Sequence, residues 1–282
     1  MQNNLKMNHS SSIWQKIAIR LHWTRTSYAV MSAFILLLGL IGYVWRPLVI
    51  EYLNTYDPTV SFWLQFDWLL LGIFLFMSLL IMADASLVED FPIVAIGLAG
   101  GLVIESWGTQ TELWTYYTLE RPPLWIIPAW PIASLSIDRL YRWLRRLAES
   151  APDRFLTVVY WGVFILFYAL MVWFVAPTFD KSLTLMALFL CAFLILTPID
   201  KRETVLVFLA GSGLGYFLER WGTTRLCWVY YTQQTPPLFA VLAHGMAAVA
   251  FWRVLLLYRL FLPRWRNASG GIDKIDAEPG SV

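Results

Sequence analysis

GLAGGLVIESWGTQTELWTYYTLERPPL, residues 97–124, returns further along the chain as GSGLGYFLERWGTTRLCWVYYTQQTPPL, residues 211–238. The two stretches align without a gap at an offset of 114, since 219 minus 105 and 237 minus 123 both give 114. Glu105, Trp107, Gly108, Thr109, Trp114, Tyr116, Tyr117, Thr118, Pro122, Pro123 and Leu124 each recur at that offset. Chance would match roughly one position in twenty, so the chain carries an internal duplication.

Composition decides what surrounds the duplicated stretch. Of the 282 residues, 59% are hydrophobic and 14% charged, with 16 Trp and a mean hydropathy of +0.59. A soluble domain carries about 25% charged residues, so lipid is the expected solvent for most of this chain. A net charge of +2 gives no footprint for nucleic acid. The two cysteines, Cys191 and Cys227, have no metal-ligand or CxxC spacing and read as unpaired thiols. The first residues, MQNNLKMNHSSS, lack the apolar core and cleavage site of a signal peptide.

Apolar runs place spans near 27–45, 62–83, 93–106, 122–141, 155–176, 183–197, 205–218 and 238–257. Each is of a length that can cross or nearly cross the hydrocarbon core. An interfacial helix is expected over 13–23, and Pro122 and Pro123 are expected to open the fourth span. The segment holding Trp114, Tyr116 and Tyr117 reads as a loop. The predicted fold is an all-α integral membrane protein of about eight transmembrane helices, arranged as two parallel four-helix repeats with both termini cytoplasmic. Its parts are an N-terminal segment, 1–26, repeats at 27–146 and 147–262, and a disordered tail, 263–282. This orientation puts 16 of the 21 basic residues on the cytoplasmic side and leaves Arg46, Arg121, Lys181, Arg220 and Arg225 opposite. The plasma membrane of a prokaryote is the expected location. Asp138, Arg139 and Arg253 then read as topological anchors at cytoplasmic helix ends.

Gly97, Gly101 and Glu105 are spaced i, i+4, i+8, as are Gly211, Gly215 and Glu219. Each triplet therefore shares one helical stripe. Small-residue stripes mark close helix packing, so each glutamate should point into the bundle. Acids there are expected to be functional and partnered, the alternative being that each caps its helix end or pairs with Arg121 or Arg225. Trp107, Trp114, Tyr116 and Tyr117, with Trp221, Trp228, Tyr230 and Tyr231, read either as an interfacial aromatic belt or as a cavity lining. Asp67, near the start of the second span, is a further candidate. His244 aligns with Trp130 and breaks the symmetry, which makes Glu219 with His244 a candidate proton-transferring pair. No Walker loop, GxGxxG, HExxH, GxSxG or paired-aspartate magnesium motif is present. No cofactor and no metal site are expected.

At the level of Glu105-x-x-Gly108-Thr109, Trp114-x-Tyr116 and Pro122-Pro123-Leu124, the chain resembles polytopic carotenoid-pathway proteins. These are the membrane hydratase and lycopene-cyclase group that includes bisanhydrobacterioruberin hydratase-like proteins. The resemblance implies an apolar isoprenoid ligand and a carboxylic acid that protonates a double bond. Glu105 or Glu219 would be that acid, and aromatic faces would stabilise the resulting cation. Hydratase, cyclase and isomerase outcomes then differ only in how the cation is quenched. A binding or transport protein that encloses a hydrophobic ligand is the alternative. The partners expected are this ligand and the membrane lipids, and the sequence does not specify an oligomeric state.

Overall fold

The computed structural model describes residues 18–19 and 22–261. The expected tail at 263–282 and most of the expected interfacial helix at 13–23 lie outside the described residues. Within them the chain is mostly helical: α1 (Arg25–Val44), α2 (Arg46–Asn54), α3 (Phe62–Gln65), α4 (Trp68–Met82), α5 (Leu87–Gln110), α6 (Ala129–Leu147), α7 (Asp153–Val175), α8 (Ser182–Leu196), α9 (Lys201–Thr224) and α10 (Leu238–Phe261). Two three-residue strands, β1 (Trp114–Tyr116) and β2 (Trp228–Tyr230), pair with each other. Four stretches are long and apolar enough to cross a bilayer: α1, α5, α10, and α7 with the 3-10 turn that follows it. Helices α4 and α8 are shorter and apolar. This is the profile of a multi-pass, all-α membrane protein carrying one small β-ribbon.

Local chemistry moves several expected boundaries. The first span ends at Trp45, and Pro47 opens a separate helix, α2, because proline fits the first turn, where its missing N–H has no partner. The second span breaks at Asp67, whose carboxylate caps α4 by accepting from the Leu70 N–H at 3.1 Å. The third helix starts earlier than hydropathy indicates and takes in the acidic turn, with Asp90 accepting from the Ser86 N–H at 3.0 Å. Pro122 and Pro123 do not open the fourth helix. Residues 123–130 run through successive turns, with Ile126 N–H to Pro123, Ala129 N–H to Ile126 and Trp130 N–H to Ile127, and α6 begins only after Pro128.

Helix α9 is the most enclosed of the polar-ended helices and packs against α10, α6 and α7, while α5 packs against α6 and α10. Contacts recur between the halves at the 114 offset. Arg139 donates from Nε to the Ala83 carbonyl at 3.0 Å, and Arg253 donates to the Thr197 carbonyl at 2.6 Å. Arg139 is more than an anchor: it is 5% exposed and holds both oxygens of the buried Asp90 at 2.7 Å. Asp138 joins the same cluster, accepting from Arg139 at 2.7 Å and Arg142 at 2.9 Å.

Candidate functional site: two carboxylate cages on one apolar cavity

Glu105 and Glu219 sit in the penultimate turns of α5 and α9, each 4% exposed. The ribbon reaches them from beyond the helix ends. Side chains alternate between the two faces of a strand, so Trp114, Tyr116, Trp228 and Tyr230 share the face turned to the carboxylates. Trp114 Nε1 donates to Glu105 Oε2 at 3.1 Å and the Tyr116 hydroxyl to Oε1 at 2.9 Å. In the other half Trp228 Nε1 donates to Glu219 Oε2 at 2.9 Å and the Tyr230 hydroxyl to Oε1 at 2.8 Å. Cross-strand ring contacts, Trp114 with Tyr230 and Tyr116 with Trp228, both at 5.9 Å, join the two cages into one wall.

The third partner separates the copies. Trp130 Nε1 donates to Glu105 Oε1 at 3.1 Å, whereas His244 Nε2 lies 2.9 Å from Glu219 Oε1. Their rings stack on one another with centroids 5.7 Å apart and planes 19° from parallel. An indole nitrogen can only donate, but an imidazole nitrogen donates or accepts according to its proton. Glu105 is thus held by two indole N–H groups and a phenol hydroxyl, while Glu219 shares its Oε1 with a group that can give or take a proton.

The motif glycines make this geometry possible. A Cβ on Gly108 would fall 1.8 Å from the Trp114 ring, and one on Gly222 would fall 1.9 Å from the Trp228 ring. Gly101 and Gly215 do the same for Trp130 and His244, with closest approaches of 2.3 and 2.5 Å. Four of the conserved-spacing glycines therefore admit the carboxylates' own partners. Gly97 and Gly211 instead meet the neighbouring helix, where a Cβ would lie 2.7 Å from the Ser134 hydroxyl oxygen and 2.7 Å from the His244 carbonyl oxygen respectively. Thr109 and Thr223 turn their hydroxyls back to the Glu105 and Glu219 carbonyls, both at 2.6 Å.

A cavity of about 1740 Å³ opens beside the cages, and both glutamates line it. Its walls are almost wholly apolar and come from both halves, including Phe34, Leu37 and Met77 on one side and Phe167, Met171 and Leu190 on the other. Trp107, Trp114, Tyr116, Trp221, Trp228, Tyr230, His244 and Asp67 line it too. Tyr117 and Tyr231 do not. Their hydroxyls tie the ribbon to the ends of α1 and α7, through the Val44 carbonyl at 2.7 Å and the Phe174 carbonyl at 2.6 Å. Trp107 donates to Thr184 at 3.3 Å and Trp221 to Asp67 at 2.9 Å, so each reaches the helix start of the opposite half. Asp67 also holds Arg225 at 3.1 Å, in addition to capping α4.

Trp130 was not among the candidates read from the sequence, although Glu105 to Trp130 and Glu219 to His244 share one spacing of 25. Trp45 was missed too: it is 7% exposed, stacks on Trp221 at 5.5 Å and lines the cavity. Cys191 and Cys227 are both free. No family model, no curated protein and no solved structure matches this chain.

Proposed function

We propose that the protein is a membrane-embedded enzyme that protonates a carbon–carbon double bond of an isoprenoid or similar lipid. The observation carrying this reading is the Glu219–His244 contact at the wall of a large apolar cavity, opposite a Glu105 cage that holds only donors. A cavity of about 1740 Å³ exceeds the roughly 300–1,000 Å³ of ordinary small-molecule pockets, which suits a long apolar ligand.

In this mechanism the pair delivers one proton to the alkene, breaking an O–H or N–H bond and forming a C–H bond. The adjacent carbon becomes cationic. The faces of Trp114, Trp228 and the two tyrosines attract that cation, and the Glu105 carboxylate, fixed by its three donors, opposes its charge without moving. Water capture followed by proton loss, attack by a second double bond followed by loss of a C–H proton from the new cation, or direct proton loss completes a hydratase, cyclase or isomerase cycle. In each the proton returns to the pair. We further propose eight crossings in two parallel four-helix repeats, with both termini cytoplasmic in a prokaryotic plasma membrane, and a carotenoid-type isoprenoid as substrate.

The test is lipid and pigment profiling of cells that lack the gene, complemented with the native chain or with Glu219→Gln. A substrate that accumulates in the deletion and the variant, and is consumed by the native chain, supports the enzyme. An unchanged profile sinks it. The lining of the cavity from both halves favours a second reading, binding or transport of a hydrophobic ligand. That reading expects Glu105→Gln and Glu219→Gln to impair ligand uptake equally, with no lipid converted.

A further inference from the structure

Behind the stacked Trp130 and His244 rings lies a second, smaller cavity of about 60 Å³. Four residues line both cavities: Trp130, Ala133, His244 and Ala247. His244 therefore borders both the large apolar cavity and the small one. The volume holds about four water molecules at roughly 10–15 Å³ apiece.

Its walls are counterparts of each other. Helix α6 contributes Trp130, Ala133, Ser134, Ile137, Asp138 and Tyr141, and α10 contributes the residues 114 further on: His244, Ala247, Ala248, Phe251, Trp252 and Leu255. The polar groups, however, are distributed unequally. Ser134, Asp138 and Tyr141 all belong to α6, where α10 has Ala248, Trp252 and Leu255. Trp130, Ser134 and Asp138 are spaced i, i+4, i+8 along one stripe, about 6 Å per step and about 12 Å in all. The stripe starts at the ring stacked on His244 and ends among charges that meet water. Asp138 is paired with Arg139 and Arg142, and the Tyr141 hydroxyl donates to Glu203, which also holds Arg145. Arg142 and Arg145 are 32% and 62% exposed, and a cluster of charged side chains with such exposure belongs outside the hydrocarbon core.

We propose that protons reach His244 from the aqueous face at the C-terminal end of α6, through water in the small cavity and along the Ser134–Asp138–Tyr141 stripe. The hydrophobic ligand occupies the opposite cavity, so substrate and proton arrive at the Glu219–His244 pair from different directions. Each hop breaks one O–H or N–H bond and forms another. The last donor is refilled from bulk water, and nothing is oxidised or reduced. The ionisable groups around His244 are Glu219 on α9, Glu105 on α5 across Trp130, Tyr230 and Tyr116 on the ribbon, and Asp138 and Tyr141 on α6. Ser134, Asp138 and Tyr141 are positioning residues in this scheme, acting through His244. The inference rests on the proton-transferring role proposed for that pair, but its test needs no turnover.

The chain has three histidines. His9→Gln with His22→Gln leaves His244 as the single imidazole, which can be labelled with nitrogen-15. The full-length protein is placed in proton-tight proteoliposomes with its orientation established, and the pH is stepped on one side at a time. Ring-nitrogen shifts that follow only the pH at the α6 C-terminal face support the route. Shifts that follow the ribbon face, or that move with neither side between acid and alkaline extremes, overturn it. Ser134→Val, which removes the stripe's hydroxyl inside the small cavity, should slow the response by an order of magnitude or more, and an unchanged response in a folded variant also counts against the route. Absence of lipid conversion by the native chain, with an intact His244 response, would instead count against the proposed enzyme activity alone.

Discussion

Thr115 lies directly opposite Val229 in the ribbon, and the two are each other's counterparts, since 229 minus 115 is 114. An antiparallel pair has a local two-fold axis between facing residues, so the axis of the ribbon passes between equivalent positions of the duplicated stretch. Trp130 and His244, stacked at 5.7 Å, form a second pair of counterparts in contact. This register makes Thr115→Cys with Val229→Cys a disulfide former, because facing Cα atoms in such ribbons lie within the reach of a cystine. Mild oxidation should convert the double variant to a species that is faster on non-reducing gels, while each single variant stays unchanged. A double variant that keeps all four thiols free, Cys191 and Cys227 included, would contradict the register.

The difference between the cages can be moved. His244→Trp gives Glu219 a donor-only cage and should lower lipid conversion by about 10²–10⁴-fold, the usual worth of a positioned acid–base group. Trp130→His in the same chain moves the imidazole to Glu105 and should restore part of that loss. Conversion assays on purified membranes decide it, and a swap with no recovery would show that the halves differ by more than this residue.

Gly108→Ala and Gly222→Ala drive a methyl into the Trp114 and Trp228 rings, at 1.8 and 1.9 Å. Each should cost about 1–3 kcal/mol, as over-packing does, and change the Trp emission spectrum as the indole leaves its carboxylate. Gly213→Ala, with nothing within 4 Å of the new Cβ, is the control and should be neutral or stabilising by up to about 1 kcal/mol. Thermal melts in detergent read all three.

Arg139 and Asp90 are 4% and 5% exposed at the side chain, and removing Arg139 leaves Asp90 buried without a cation, whereas removing Asp90 leaves Arg139 its bond to Asp138. Arg139→Ala should therefore cost about 3–5 kcal/mol. Arg253→Ala removes only bonds to the exposed Thr197, to its carbonyl and its hydroxyl, and should cost far less. Denaturation midpoints of the two variants would show the contrast, and equal losses would refute it.

Much of the site is legible in the sequence because both copies keep the same residue types at the same spacings. Glu105 and Glu219, the Trp and Tyr residues two apart, and the mismatch of Trp130 with His244 can all be read from one alignment. The ribbon could not be, because strands of three residues mean little until the partner 114 positions away is in place. Trp-x-Tyr has a period of two only in hindsight. The start of α6 was misjudged for a local reason: hydropathy continues smoothly through 122–128, but prolines and i+3 turns hold that backbone out of a helix. Hydropathy also hid the character of α6, whose Arg139 is buried against Asp90 of α5 and whose Asp138 is paired within α6 with Arg139 and Arg142. The glycine stripe was read as helix packing, and Gly97 and Gly211 do pack, whereas the ring-admitting role of Gly101, Gly108, Gly215 and Gly222 depends on distant side chains.

A ribbon whose facing residues are one another's duplicates is what two identical polypeptides would build across a dimer axis. In such an ancestor every substitution appears twice, so a histidine at one cage is a histidine at both. A single chain that carries both copies is free of that obligation. It writes positions 130 and 244 separately, so an indole stands at one and an imidazole at the other, facing each other across the same pseudo-axis.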